Sequence, residues 1–259
     1  MISSSRSKLL RSLQQKKFRD LHHLFLVEGE KMVRELTEAD PDQGFRVREI
    51  YASPDWIERN AKQLALKDIE VVEATQSEIR KVSTLHSPQP VLALVTKPDL
   101  KLELEELLPA PVLAFESIRD PGNLGTIIRT ADWYGMDHIV CSPDSTDLFN
   151  PKVVQSTMGA IARVKVHYLD LEFLLDSPEM KEKIVYGTFL KGENIYETRL
   201  EDAPLILFGN ESHGLSDRLG KYIKHRISIP SFSTKGKGSE SLNLASSVAV
   251  LCSELKRRA

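Results

Sequence analysis

Apolar positions along the chain follow two alternating patterns. Short continuous runs such as 24–27, 91–95, 112–115 and 205–208 read as buried strands, and between them apolar residues recur three and four apart, the period of one helix face. The first part predicts a helix over 6–17 with Leu9, Leu10 and Leu13 on one side, then a strand at 24–29 and a helix at 30–39 with Met32, Val33 and Leu36 in phase. Strands follow at 45–53, 69–74 and 91–95. The helices between them are 54–65 and 75–82, the second opened by the capping-box pair Thr75 and Glu78.

After a charged stretch bounded by prolines, the pattern starts again. A strand at 111–115 leads through a polar loop into a helix carrying Leu124, Ile127, Ile128 and Ala131 on one face. Further strands are predicted at 138–142, 163–168, 184–189, 205–208 and 226–229. Helices are predicted at 151–162, with Asn150 and Pro151 as cap and first position, at 171–183, and at the C-terminus with Leu244, Val248, Leu251 and Leu255 on one face. Apolar strands alternating with helices predict a mainly parallel sheet covered on both faces, an α/β fold. The expected organisation is an α/β domain over 1–97, a linker over 98–110 and a second α/β domain over 111–259.

Composition adds limits. With 259 residues, 41% hydrophobic and 28% charged, the chain is long enough for two modest domains. No apolar run approaches the ~20 residues that span a bilayer, and the basic N-terminus lacks the features of a secretory signal, so a cytoplasmic protein is expected. Cys141 and Cys252 have no metal-ligand spacing and read as buried free thiols; no metal is expected. Net charge is only -2, but Arg6, Lys8, Arg11, Lys16, Lys17 and Arg19 follow one another without an acidic residue up to Arg19. Such a cluster suits phosphate contacts and equally suits a solvated helix face.

Three loops at element ends carry residues suited to chemistry. The first, 116–123, ends in Asn123, placed to cap a helix, with Arg129 two turns further on. In the second, 209–215, Glu211 is placed to accept backbone N–H bonds or to hold Arg129, and His213 reads as an ordinary turn histidine. The third, Ser241-Leu242-Asn243, opens the last helix, where its polar side chains serve as caps or as ligand contacts. Loops at the carboxyl ends of strands are where α/β sheets build ligand sites.

Taken together, DPGNLGTIIRTAD, LFGNESHGL and ISIP followed by SESLNLASSVAV resemble the three motifs of the SpoU-type (TrmH) branch of the SPOUT RNA 2′-O-ribose methyltransferases. The segment FRDLHHLFLVEGEKMVREL is similar to the ribosomal-protein-like substrate-binding domain that precedes many of them. The resemblance implies a SPOUT domain with a parallel sheet and a trefoil knot near the C-terminus, working as a homodimer on ribosomal RNA more readily than on transfer RNA. It implies S-adenosylmethionine held by Leu207, Phe208, Gly209, Asn210 and Gly214, by Ser228, Ile229 and Pro230, and by Ser241, Leu242, Asn243 and Ala245. The catalytic set it implies is Arg129 and Asn123 with Glu211, Ser241 and Asn243. RNA contacts are expected from Arg6, Lys16, Lys17, Arg19, Glu28, Lys235 and Lys237, the last two in a bridge at 232–239 that is longer than the family's usual one. Arg129 would activate the ribose hydroxyl, either by taking its proton or as a cation beside the developing alkoxide. The alternatives are a non-catalytic RNA-binding protein that keeps the fold and an RNA base methyltransferase of the same superfamily.

Overall fold

A computed structural model of the chain describes residues 1–233 and 239–258. The expected RNA contacts Lys235 and Lys237 lie outside the described residues. The chain divides into two compact units, 1–100 with 147–163, and 101–146 with 164–259.

In the first unit a four-stranded mixed sheet runs in the order β1 (Leu24–Glu28), β4 (Val91–Thr96), β2 (Arg46–Ala52), β3 (Glu70–Glu73), with β4 antiparallel to both neighbours and β2 parallel to β3. Helices α1 (Ser4–Ser12), α2 (Lys16–His22), α3 (Glu30–Thr37), α4 (Pro54–Leu64) and α5 (Gln76–Val82) surround it. Leu10 and Leu13 pack into a core with Leu26, Tyr51, Ile79 and Leu92. The predicted 6–17 helix is two helices, because Gln15 is extended. The capping box at α5 is complete: Thr75 accepts from the Glu78 N–H, and Glu78 accepts from the Thr75 N–H at 2.8 Å.

The second unit is a six-stranded, wholly parallel sheet. Its order is β10 (His225–Ser228), β8 (Val185–Asn194), β9 (Leu205–Phe208), β5 (Val112–Phe115), β6 (His138–Cys141), β7 (Lys165–Tyr168). Every residue of β5 and β9 is buried, as expected for central strands covered on both faces. Chain order runs outward from β5 through β6 to β7, then jumps to the other side of β5. The crevice at the carboxyl ends of β5 and β9 is therefore a topological switch point, the place where such sheets hold ligands. The helices of this unit are α6 (Pro121–Trp133), α8 (Leu171–Asp176), α9 (Asp217–Gly220) and α10 (Leu244–Arg258), and α10 lies against α6.

Three departures from the expected layout have physical causes. Residues 147–163, expected in the second domain, belong to the first unit. There α7 (Pro151–Thr157) sits on β1, the Phe149 ring lies 4.8 Å from that of Phe25, and Arg163 donates to Glu35 at 2.5 Å. That helix stops at Thr157 because Met158 and Gly159 take φ of 52° and 102°. The helix expected over 171–183 stops at Asp176, since Ser177 precedes a proline and is extended. Residues 101–110, expected as a linker, join the second unit, with Leu107 buried in its core.

Candidate active site

The site is built where β5, β9 and α10 open onto loops. After β5, α6 begins three residues earlier than the apolar pattern indicates, at Pro121, with Asp120 as its cap accepting from the Asn123 N–H at 2.8 Å. This has a direct consequence for Asn123. Its side chain is released from capping and turns to the other two loops.

Asn123 Nδ2 donates to Glu211 Oε1 at 3.1 Å, and Asn123 Oδ1 accepts from Asn243 Nδ2 at 2.9 Å. Glu211 also accepts from the backbone N–H groups of Arg119 and Asp120, each at 3.4 Å. Asn243 Oδ1 meanwhile caps α10, accepting from Ala245 N at 2.9 Å and Ser246 N at 3.3 Å. One continuous chain of bonds, Glu211–Asn123–Asn243, thus joins the three loops. Amides suit the two inner positions because each offers a donor and an acceptor at once.

The loop after β9 is folded by its own side chains. Asn210 and Gly214 exchange backbone bonds at 3.0 and 2.9 Å, and Asn210 Oδ1 accepts from the N–H groups of Ser212 and His213. Asn210 Nδ2 reaches across to the Ser117 carbonyl at 2.8 Å. Gly209 is obligatory: a Cβ there would lie 2.1 Å from the Gly214 carbonyl carbon. Leu207 and Phe208 are fully buried at the end of β9, where the Phe208 carbonyl accepts from the Glu116 N–H at 2.9 Å and the Leu207 carbonyl from the Thr188 hydroxyl at 3.1 Å. At the end of β10, Ser228 Oγ donates to the Gly192 carbonyl at 3.1 Å, and Ile229 and Pro230 are half-buried. Ser241, Leu242 and Asn243 are exposed at the head of α10, with Ala245 buried behind them.

Arg129 lies on the solvent-facing side of α6. Among the described residues its guanidinium makes no hydrogen bond or ion pair, and Glu211 holds the first loop instead of the arginine. His213 is exposed in its turn.

Two expected RNA contacts are corrected by burial. Arg19 is 2% exposed, donating to Asp147 at 2.6 and 3.2 Å and to the carbonyls of Leu13 and Gln14 at 2.9 Å. Glu28 is 6% exposed and accepts from the Ser83 hydroxyl and from the Thr84 N–H and hydroxyl. Both hold the first unit together and neither faces solvent. Arg6 is tied to Glu49 at 2.5 Å and Lys16 to Asp20 at 2.6 Å, while Lys17 is exposed over the Phe18 ring.

The loop after β6 escaped the sequence argument although it ends a strand like the others. Asp144 accepts from Ser117 Oγ at 2.5 Å and Ser142 Oγ at 2.6 Å, and two donors of Arg119 reach its carboxylate and its carbonyl at 2.7 Å each. These bonds, led by those from the serine hydroxyls, hold the Asp144 carboxyl below the usual carboxylate range. Ser117 is held at φ 56°, left-handed backbone that is rare outside glycine. The strand-end rule was the available signal.

Both cysteines are buried free thiols. Burial pushes their pKa values up, that of Cys252 to about 12, which removes them as nucleophiles. Among the described residues no group of three or more His, Cys, Asp or Glu is placed to hold a metal ion, and no helix is long and apolar enough to cross a membrane.

Residues 110–253 match the SpoU rRNA Methylase family, and residues 5–93 match the MRM3-like substrate binding domain. The chain is 29% identical over 248 residues to the 23S rRNA (guanosine(2553)-2'-O)-methyltransferase RlmP of Bacillus subtilis, covering 95% of this chain and 94% of that one. A solved structure from Porphyromonas gingivalis assigned to the TrmH family of RNA methyltransferases superposes over the full length of both chains with a TM-score of 0.84 at 35% identity. An AdoMet-bound rRNA methyltransferase from Sinorhizobium meliloti superposes with a TM-score of 0.82 at 27% identity, over 100% of this chain and 97% of that one. With a family match over more than half of its length, in the unit where its three motif loops are fastened to one another, the chain belongs to the SpoU rRNA methylase family.

Proposed function

We propose that this protein transfers the methyl group of S-adenosylmethionine to a ribose 2′-hydroxyl of ribosomal RNA. The observation that carries the reading is the Glu211–Asn123–Asn243 chain, which fixes a loop of each motif relative to the other two. A pure RNA binder has no need of such a link between three separated loops.

The residues present fit the cofactor. Gly209 and Gly214 leave backbone in place of side chains at the end of β9, and Ser241-Leu242-Asn243 stand exposed at the start of a fifteen-residue helix. The backbone of 207–210, 228–230 and 241–245, together with Gly214, would hold S-adenosylmethionine, which supplies an electrophilic sulfonium methyl group when bound. Arg129, exposed on α6, stabilises negative charge as it develops on the ribose oxygen, an electrostatic role that a fixed cation performs without reorganisation. Asn123, Glu211, Ser241 and Asn243 keep hydroxyl and methyl donor in register.

We assign the same family architecture to the remaining features. The last helix packs against α6 after the chain has visited the far edge strand β10, and we propose that it reaches that place through the trefoil knot of the family. Trp133 is 84% exposed on the α6 face that carries Thr126 and Arg129, which suits coverage by a second copy of the chain beside the active site. In the first unit, the exposed Lys17 and the partly screened Lys16 are the retained RNA contacts.

The test is methylation of total RNA by the purified protein, with mapping of positions that become resistant to alkaline cleavage. One resistant position in ribosomal RNA is expected. Calorimetric absence of S-adenosylmethionine binding would overturn the reading in favour of a non-catalytic RNA-binding protein.

A further inference from the structure

Arg119 is not explained by the cofactor or by transfer to a hydroxyl. It borders an open hollow of about 420 Å³ at the switch point between β5 and β9, walled by Glu116, Ser117, Ser212, His213 and Ser216 and shared along one side with Asn210 and Gly214 of the proposed cofactor cradle. The hollow adjoins the bond chain directly, since the Arg119 N–H donates to Glu211, whose neighbours Asn210 and Ser212 form its wall.

The guanidinium is aimed. One donor goes to the Asp144 carboxylate and another to the Asp144 carbonyl, which fixes the plane of the group while its side chain remains 62% exposed. Asp144 is itself fixed by the hydroxyls of Ser117 and Ser142, and Ser117 takes a strained left-handed backbone to deliver its bond. Packing alone has no use for this arrangement. An arginine braced in this way beside an open polar hollow suits a ligand subsite.

The charges around it identify the ligand's chemistry. Glu116 is 6% exposed, accepts from the Ser216 N–H at 2.8 Å and hydroxyl at 2.6 Å, and lies 3.6 Å from Arg218. Asp144 neutralises Arg119, and Glu211 stands at the edge. An RNA phosphate entering here would meet three carboxylates against guanidinium groups already committed to them. A neutral, hydrogen-bonding base meets no such penalty. A guanidinium offers parallel donors, which match the two acceptors O6 and N7 of guanine; adenine presents a donor at one of those places.

We propose that Arg119 reads the O6/N7 edge of a guanine at the methylated nucleotide, and that Asp144 is the positioning residue that orients it. The inference rests on the ribose methylation proposed above and adds the identity of the base.

The experiment uses the full-length protein and transcripts of the mapped ribosomal segment carrying guanosine, inosine or adenosine at the methylated position. The wild type is expected to accept guanosine and inosine alike, since both keep O6 and N7, and to disfavour adenosine by about ten- to a hundred-fold in kcat/KM. Arg119→Ala is expected to level the three substrates while leaving S-adenosylmethionine affinity and the salt dependence of RNA binding unchanged. Asp144→Asn is expected to narrow the discrimination and Arg119→Lys to fail to restore it, a lysine having no planar fork. A smaller salt slope with discrimination intact would reveal a phosphate contact and overturn the proposal. So would loss of S-adenosylmethionine binding in Arg119→Ala, or a mapped position that is not guanosine. A wild type that methylates no RNA would instead strike at the function proposed above.

Discussion

Asn123→Asp is the sharpest probe of the site. The substitution keeps size, the backbone N–H bonded to Asp120 and the oxygen that accepts from Asn243, but it turns the donor facing Glu211 into a second carboxylate oxygen 3.1 Å away. A hydrogen bond to a charged acceptor contributes about 1.5–3 kcal/mol, toward the low end here because both side chains reach solvent. Two like charges 3.1 Å apart repel by about 1.3 kcal/mol even at the dielectric constant of water. The sum, about 3 kcal/mol, corresponds to roughly a hundred-fold in rate if the loops must be joined in the transition state. The loop can open without unfolding the sheet, so the loss should appear in catalysis far more than in melting. Single-turnover transfer of labelled methyl groups measures the first and calorimetric titration of S-adenosylmethionine checks that the cofactor still binds. A variant that turns over within about threefold of wild type would refute the claim that the inter-loop chain organises the site.

Other perturbations separate catalysis from folding. Arg129→Ala should lower kcat by ~10²–10⁴ with cofactor affinity unchanged, read by the same assay; near-normal turnover would remove Arg129 from the mechanism. Arg19→Ala should cost about 3–5 kcal/mol in denaturant unfolding, because Asp147 is left without its partner in a partly buried place; a loss below ~1 kcal/mol would contradict the pairing. His167, 4% exposed with its ring nitrogen 3.1 Å from His138, has its pKa lowered to about 4, chiefly by burial. A histidine lowered on folding binds its proton more readily when unfolded. Its contribution is therefore complete above pH ~6.5 and is lost as pH falls towards about 4. His167→Phe should flatten the urea midpoint over that window, and an unchanged pH profile would refute the assignment.

Much of the fold was legible because buried parallel strands are continuous apolar runs and helices keep their period; β5 and β9 differ from expectation by one residue at most. The partnership of the three loops was legible only through motif resemblance, since Asn123 and Asn243 are 120 residues apart. Two things were hidden for physical reasons. A run of basic residues does not reveal which member will meet a carboxylate, so Arg19 looked like its neighbours until Asp147, 128 residues away, closed over it. And the apolar pattern of α6 began at Leu124, whereas the helix begins with Asp120 and Pro121, which carry no apolar signal. That shift of three residues is what frees the Asn123 side chain.

The excursion of residues 147–163 bears on how such a protein can be divided. The polypeptide passes from one unit to the other after residues 100, 146 and 163, so no single cut yields two intact pieces. An N-terminal fragment ending near residue 100 would lose the ring that covers Phe25 and the acid that holds Arg19. A C-terminal fragment would carry α7 with its own partner missing. Recognition and transfer units wired in this way are not interchangeable cassettes. Grafting either onto a relative would have to carry those seventeen residues with the half that buries them, even though they are encoded inside the other.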